Sequence, residues 1–166
     1  MPELKIRETT VEQLDLLAPL WAALHAHHAK IGEGVAPMRD LDESWWRRRS
    51  DYESWLAEED TVILRAELEG RAVGYLTLRV SEGPHTWDIG KVGTIETLSV
   101  LPEERGSGVG SELMDAARRE AAVRGAESMA VGVVHTNVDA LRFYEREGLG
   151  SFYLELVGPV DRPGRG

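Results

Sequence analysis

The stretch best equipped for chemistry is LSVLPEERGSGVGSEL, Leu98 to Leu113. Here a strand-like run meets Pro102, and Arg-Gly-Ser-Gly-Val-Gly follows directly before an amphipathic segment. Gly106, Gly108 and Gly110 occupy alternate positions, which frees the backbone for positive φ and for close approach. Their N–H groups, with the unpaired N–H groups of a helix's first turn, can converge on an anion. The helix dipole adds to that attraction, and Arg105 supplies a fixed positive charge. The chemistry this implies is binding of a diphosphate-like group. Two familiar phosphate loops do not fit. No lysine follows these glycines as a P-loop requires, and the third glycine of a dinucleotide fingerprint would fall on Ser111 or Leu113. The same glycines also suit a turn that simply joins a strand to a helix.

Such a turn needs a sheet and helices to hold it. LKIRE near the amino terminus alternates like a short strand, and Thr10 with Gln13 fits a capping box opening a helix. Leu17, Leu20, Trp21, Leu24, His28 and Ile31 recur at helical spacing, and Pro19 either kinks this helix or delays its start. A second helix is expected from about Asp42 to Glu58. TVILRAELEGRAVGYLTLRV reads as a hairpin turning at Glu69 and Gly70, and KVGTIETLSV as a third run of strand character. A helix over Ser107–Arg124, a strand SMAVGVV, a helix over Val138–Glu147 capped by Asn137, and a last strand SFYLELV complete the order. The pattern predicts an α/β (α+β) fold, a mixed sheet with helices on its faces. Its strand–helix–strand unit from Val92 to Val134 implies one parallel pair with a right-handed crossover.

Arg105-Gly106-Ser107-Gly108-Val109-Gly110 matches Arg/Gln-x-x-Gly-x-Gly/Ala. Upstream, IETLSVLPEERG ends a strand with Val-x-Pro; downstream stands NVDALRFYEREGL. In these three signatures, in this order, the chain resembles the Gcn5-related N-acetyltransferase (GNAT) family, specifically over residues 92–150. The resemblance implies a mostly antiparallel sheet of about six to seven strands flanked by about four helices, with a splayed parallel pair at the cofactor site. It implies one N-acetyltransferase domain over residues 1–160, with 161–166 a loose tail. It also implies that acetyl-coenzyme A is the cosubstrate. The backbone of Arg105, Gly106, Ser107, Gly108, Val109, Gly110 and Ser111 would hold the diphosphate. Leu98, Ser99 and Val100 would carry the pantetheine arm on their exposed edge, with Asn137 and Ala140 facing it from the other side. A strand edge presents the donors and acceptors that an amide-rich arm needs.

Acetyl transfer consumes a neutral amine, so a proton must leave before or during attack. Glu96 is the candidate base. Simple alternation places it on the face of Leu98 and Val100, a carboxylate among apolar neighbours, where burial favours the protonated form. An ordinary edge carboxylate paired with Lys or Arg is the alternative. Tyr144 matches the family's general acid, positioned to hydrogen-bond the departing sulfur; core packing against Leu141 is its other reading. A non-catalytic acyl-CoA-binding sensor on the same fold would keep the Arg105–Ser111 loop and need neither residue. The presence of both favours the enzyme. His135 reads as a second base or as a capping residue. His25, His27, His28 and His85 invite a metal, but their spacing is poor for zinc and no metal is expected. Trp45, Trp46, Trp55 and Trp87 either wall an acceptor pocket or pack in the core.

The bulk properties narrow the partners. Nineteen basic against 29 acidic residues give a formal net charge of −10, a field that disfavours nucleic acid and anionic membranes. It suits a small-molecule or peptide amine. The absence of cysteine removes disulfides and thiolate chemistry. With no signal-like or spanning run, the expectation is a soluble cytoplasmic protein, and a homodimer as is common in the family.

Overall fold

The computed structural model describes residues 2–161 and 164, so most of the expected tail lies outside the described residues. Five strands form one sheet in the order β1 (Leu4–Glu8), β2 (Thr61–Leu68), β3 (Arg71–Ser81), β4 (Lys91–Val100) and β5 (Ala126–Val131). The first three pairings are antiparallel, and β4 with β5 is the parallel pair. Four α-helices accompany them: α1 (Ala18–Ile31), α2 (Leu41–Leu56), α3 (Val109–Val123) and α4 (Val138–Arg146).

Local chemistry accounts for the boundaries. The Thr10 N–H donates to Gln13 Oε1 at 3.1 Å, the backward arm of a capping box, but the segment it opens, Val11–Leu17, is a 3-10 helix. Pro19 then stands in the first turn of α1, where a missing N–H costs nothing; the proline delays the helix rather than kinking it. Asp40 caps α2 by accepting from the Glu43 N–H at 3.1 Å. Glu69 and Gly70 both take positive φ, 50° and 79°, as a two-residue hairpin turn between right-twisted strands requires.

One hydrophobic core fills the space on both faces of the sheet. Leu14, Leu17, Leu20 and Tyr52 contribute from the amino-terminal helices, and Val109, Leu113, Met114 and Ala117 from α3. On the α1–α2 face the Ser99 hydroxyl donates to the Leu20 carbonyl at 2.7 Å, and Tyr52 meets Thr97 at 2.6 Å and Tyr75 at 3.1 Å. Gly74 makes room on the opposite face, because a Cβ there would lie 3.1 Å from Val109 and 3.2 Å from Leu113.

The expected last strand does not form. Residues 151–157 pair with no strand among the described residues, so the sheet has five strands rather than six or seven. An alternating apolar pattern makes a strand only where a neighbour supplies ladder hydrogen bonds and cover. β5 also ends earlier than SMAVGVV suggests, at Val131, and α3 starts at Val109 rather than Ser107.

Candidate functional site

The parallel ladder between β4 and β5 stops at Ile95↔Val131, yet β4 continues to Val100. The edge from Glu96 to Val100 therefore has no β5 partner. Two hydrogen bonds fix its orientation. The Leu101 N–H reaches back to the Val73 carbonyl of β3 at 2.9 Å, and Arg105 Nε donates to the Val100 carbonyl from the open side at 3.2 Å. Backbone groups alternate along a strand. Leu98 and Val100 thus present N–H and C=O to the opening, while Ser99 turns its own toward β3 and its hydroxyl toward α1.

At the end of that edge lies the glycine turn. Gly106 and Gly108 hold φ of 78° and 92°, a region that a Cβ disfavours. The Ser107 N–H reaches the Glu104 carbonyl at 3.4 Å, and the Glu112 N–H closes the first helical bond to Gly108 at 3.0 Å. Around these two, the N–H groups of Gly106, Gly108, Val109, Gly110 and Ser111 donate to no acceptor among the described residues. This is the donor cluster that a diphosphate needs, set on the positive end of a 15-residue helix. Gly110 serves packing as well, since a Cβ there would lie 3.2 Å from the Phe143 ring of α4. The Ser111 hydroxyl is engaged by Glu147 at 2.7 Å, which leaves only its main chain for a ligand.

Helix α4 flanks the same opening. Asn137 Oδ1 accepts from the Ala140 N–H at 3.3 Å and lies 3.4 Å from His27 Nε2, so α1 and α4 are joined at its rim. Asn137 is buried and Ala140 half-buried. Tyr144 is only 8% exposed, and burial pushes its phenol well above the ordinary tyrosine value. It therefore keeps its O–H near neutral pH and donates a hydrogen bond rather than a proton.

Glu96 departs from the expected setting. Thr77 faces Thr97 and Leu78 faces Ile95, so Glu96 is the extra residue of a β-bulge with no cross-strand partner. The bulge offsets alternation by one residue and moves this side chain off the face of Leu98 and Val100. Glu96 is exposed, lining a pocket of about 360 Å³ with Thr94, Arg79, Thr61 and Asp60. The carboxylate has no apolar enclosure.

The remaining candidates fall elsewhere. His135 is exposed on the turn before α4. His25 Nε2 lies 2.8 Å from the Arg39 carbonyl, and His28 is held below the ordinary histidine value by burial and by neighbouring His27 and His25. No cluster of three or more His, Asp or Glu among the described residues has metal-binding geometry. Trp45 and Trp55 pack around Tyr52, while Trp46 and Trp87 are exposed. Sequence reasoning missed Asp60, Thr61 and Arg79 beside Glu96. Only the register Thr61↔Arg79↔Thr94 across three strands brings them there, and no local motif signals it.

The acetyltransferase (GNAT) family model matches residues 21–150. The chain belongs to the GNAT acetyltransferase family. An aminoalkylphosphonate N-acetyltransferase of Salmonella typhimurium is 38% identical over 150 residues, 89% of this chain and 86% of that one. An N-acetyltransferase of Archaeoglobus fulgidus, otherwise uncharacterized, is 34% identical over 119 residues, 69% and 80% of the two chains. An aminoglycoside N-acetyltransferase solved with CoA shares the fold at a TM-score of 0.74 and 19% identity, covering 96% of this chain and 95% of that one. This GNAT chain is thus an enzyme of the acyltransferase class. No helix among its described residues is long and apolar enough to cross a membrane.

Proposed function

We propose that the enzyme transfers an acetyl group from acetyl-CoA to a primary amine of a small molecule or peptide, by direct attack within a ternary complex. The observation that carries this reading is the unpaired β4 edge running into a turn of main-chain N–H groups without acceptors. That combination suits a long ligand with amides at one end and a diphosphate at the other. In this reading the Leu98 and Val100 backbone lines the pantetheine, residues 105–111 hold the diphosphate, and Asn137 and Ala140 flank the arm. One relative is named as an aminoalkylphosphonate N-acetyltransferase, which supports an amine as the acceptor.

The step balances as follows. The amine nitrogen forms a bond to the thioester carbonyl carbon as its proton passes to Glu96, directly or through one water. The Leu98 N–H stabilises the charge growing on the carbonyl oxygen. The carbon–sulfur bond then breaks, and the sulfur leaves with the electron pair. Tyr144 donates a hydrogen bond to it. A phenol held above its ordinary value is a weaker acid than a thiol near 8.5, so it stabilises the thiolate without surrendering its proton. Tyr144→Phe is expected to lower kcat by about 10–100-fold while changing the KM for acetyl-CoA by less than about threefold. Steady-state kinetics check this, and an unchanged kcat removes Tyr144 from the mechanism.

The experiment for the function itself is thiol release from acetyl-CoA with a panel of amines, alongside competition of CoA against ATP for binding. Tight CoA binding without turnover on any amine would favour an acyl-CoA sensor. A homodimer is proposed as well. Phe152, Leu154, Leu156 and Val157 are 54%, 78%, 84% and 90% exposed, and the outer edge of β5 has no strand partner among the described residues. Residues 151–157 of one copy pairing with β5 of another would cover both. Light scattering is expected to give twice the chain mass, reverting to one when Leu154 and Leu156 are both replaced by lysine; a wild-type monomer refutes the pairing.

A further inference from the structure

Behind the β4 bulge the core holds a set of hydroxyls to which the transfer step assigns no part. Tyr52 of α2 and Tyr75 of β3 are fully buried, and Thr97 of β4 is 4% exposed. The Tyr52 hydroxyl lies 2.6 Å from that of Thr97 and 3.1 Å from that of Tyr75. Phenylalanine and valine would fill the same space without polar atoms, and a buried hydroxyl is tolerated only when it is paired. The Tyr52 ring is itself fixed, packed edge-on against Trp45, Trp55 and Tyr75 with centroids 6.4, 5.8 and 6.2 Å away. Burial raises both phenols above the ordinary tyrosine value, so both hydroxyls keep their protons.

What this anchor reaches is the bulge. Ile95 is set by Leu78 and Leu98 by Leu76, which leaves Glu96 and Thr97 together opposite Thr77. A bulge puts two residues where the partner strand has one, and the ladder does not decide which of them turns into the core. The two neighbours behave oppositely here. Thr97 is buried, whereas Glu96 is exposed in the pocket with Arg79 and Thr94. Of the two, only Thr97 is bonded to α2.

We propose that Tyr52 is a positioning residue: through the Thr97 hydroxyl it locks the bulge so that Glu96, and not Thr97, faces the pocket. This inference rests on the reading of Glu96 as the base and adds the group that orients it. Tyr52 touches neither cofactor nor acceptor in this scheme and acts through one buried bond.

Kinetics on the full-length protein test it. Tyr52→Phe is expected to lower kcat about tenfold while the coenzyme A dissociation constant moves by less than about twofold. Thr97→Val cuts the same bond from its other end and should match that loss, with the double variant no worse than either single one. Thr97→Ser keeps the hydroxyl and should retain kcat within about twofold. On a Glu96→Gln background Tyr52→Phe should lower kcat no further, although any fall in melting temperature persists. A merely structural residue would lower kcat equally on both backgrounds, and that result overturns the proposal. So does an unchanged kcat in Tyr52→Phe where Glu96→Gln is impaired. If Glu96→Gln leaves kcat unchanged, the base reading fails, and the crystal structure of Tyr52→Phe judges the lock by itself. A Glu96 carboxylate displaced by more than about 1 Å upholds it, and an unmoved bulge overturns it.

Discussion

Gly108→Trp is expected to weaken coenzyme A binding by about 100-fold or more while leaving a folded protein, because two effects act on one position. Gly108 is the N-cap of α3 at φ 92°, a backbone region that costs a residue with a Cβ about 1–2 kcal/mol. Apart from its immediate backbone neighbours, no heavy atom among the described residues lies within 4 Å of a Cβ built there, so the indole projects into open space instead of into the core. The N–H groups of Gly108 to Ser111 then lose their approach to a phosphate. Gly108→Ala should have a smaller effect, since it carries the same backbone strain with little obstruction. Calorimetric titration with coenzyme A checks both variants, and thermal denaturation separates lost binding from lost fold. Unchanged affinity in the tryptophan variant would place the diphosphate elsewhere.

Glu96→Gln is expected to lower kcat by about 10²–10³-fold at neutral pH, with coenzyme A affinity unchanged. The size follows from the acceptor. With an amine pKa of about 10.4, roughly one molecule in 2,500 is neutral at pH 7, so proton removal governs the rate there. By about pH 9.4 a tenth of the amine is neutral, and the deficit should shrink accordingly. A pH–rate profile of both proteins checks this. A deficit that stays constant with pH would assign Glu96 to acceptor binding, and no deficit would remove it from the reaction. The exposed, bulged position suits either direct proton transfer or passage through a water, because solvent can carry the proton away.

Much of this site is legible in the amino-acid sequence. Alternating glycines after a strand and before an apolar-striped helix define a turn whether or not it binds anything, because positive φ and helix capping are local properties. The structure places Gly106 and Gly108 there as the spacing predicts. The amphipathic face of α3 was readable for the same reason, with Leu113, Met114 and Ala117 all buried. Position along β4 was not. The bulge at Glu96 depends on how β3 registers against β4, and one inserted residue changed a shielded carboxylate into an exposed one. Simple parity has no access to that. The missing sixth strand failed likewise: residues 151–157 carry a strand's pattern, but pairing is a property of two segments.

The amino-acid order by itself determined the element sequence as far as α4, the glycine turn and the family, since each rests on patterns among residues close along the chain. Tertiary structure alone decided where the β4–β5 ladder ends, which backbone groups it leaves open, and that Asp60 and Thr61 share a pocket with Glu96. Those follow from strand register and splay, which are set by packing among segments tens of residues apart and leave no periodic trace in any one of them.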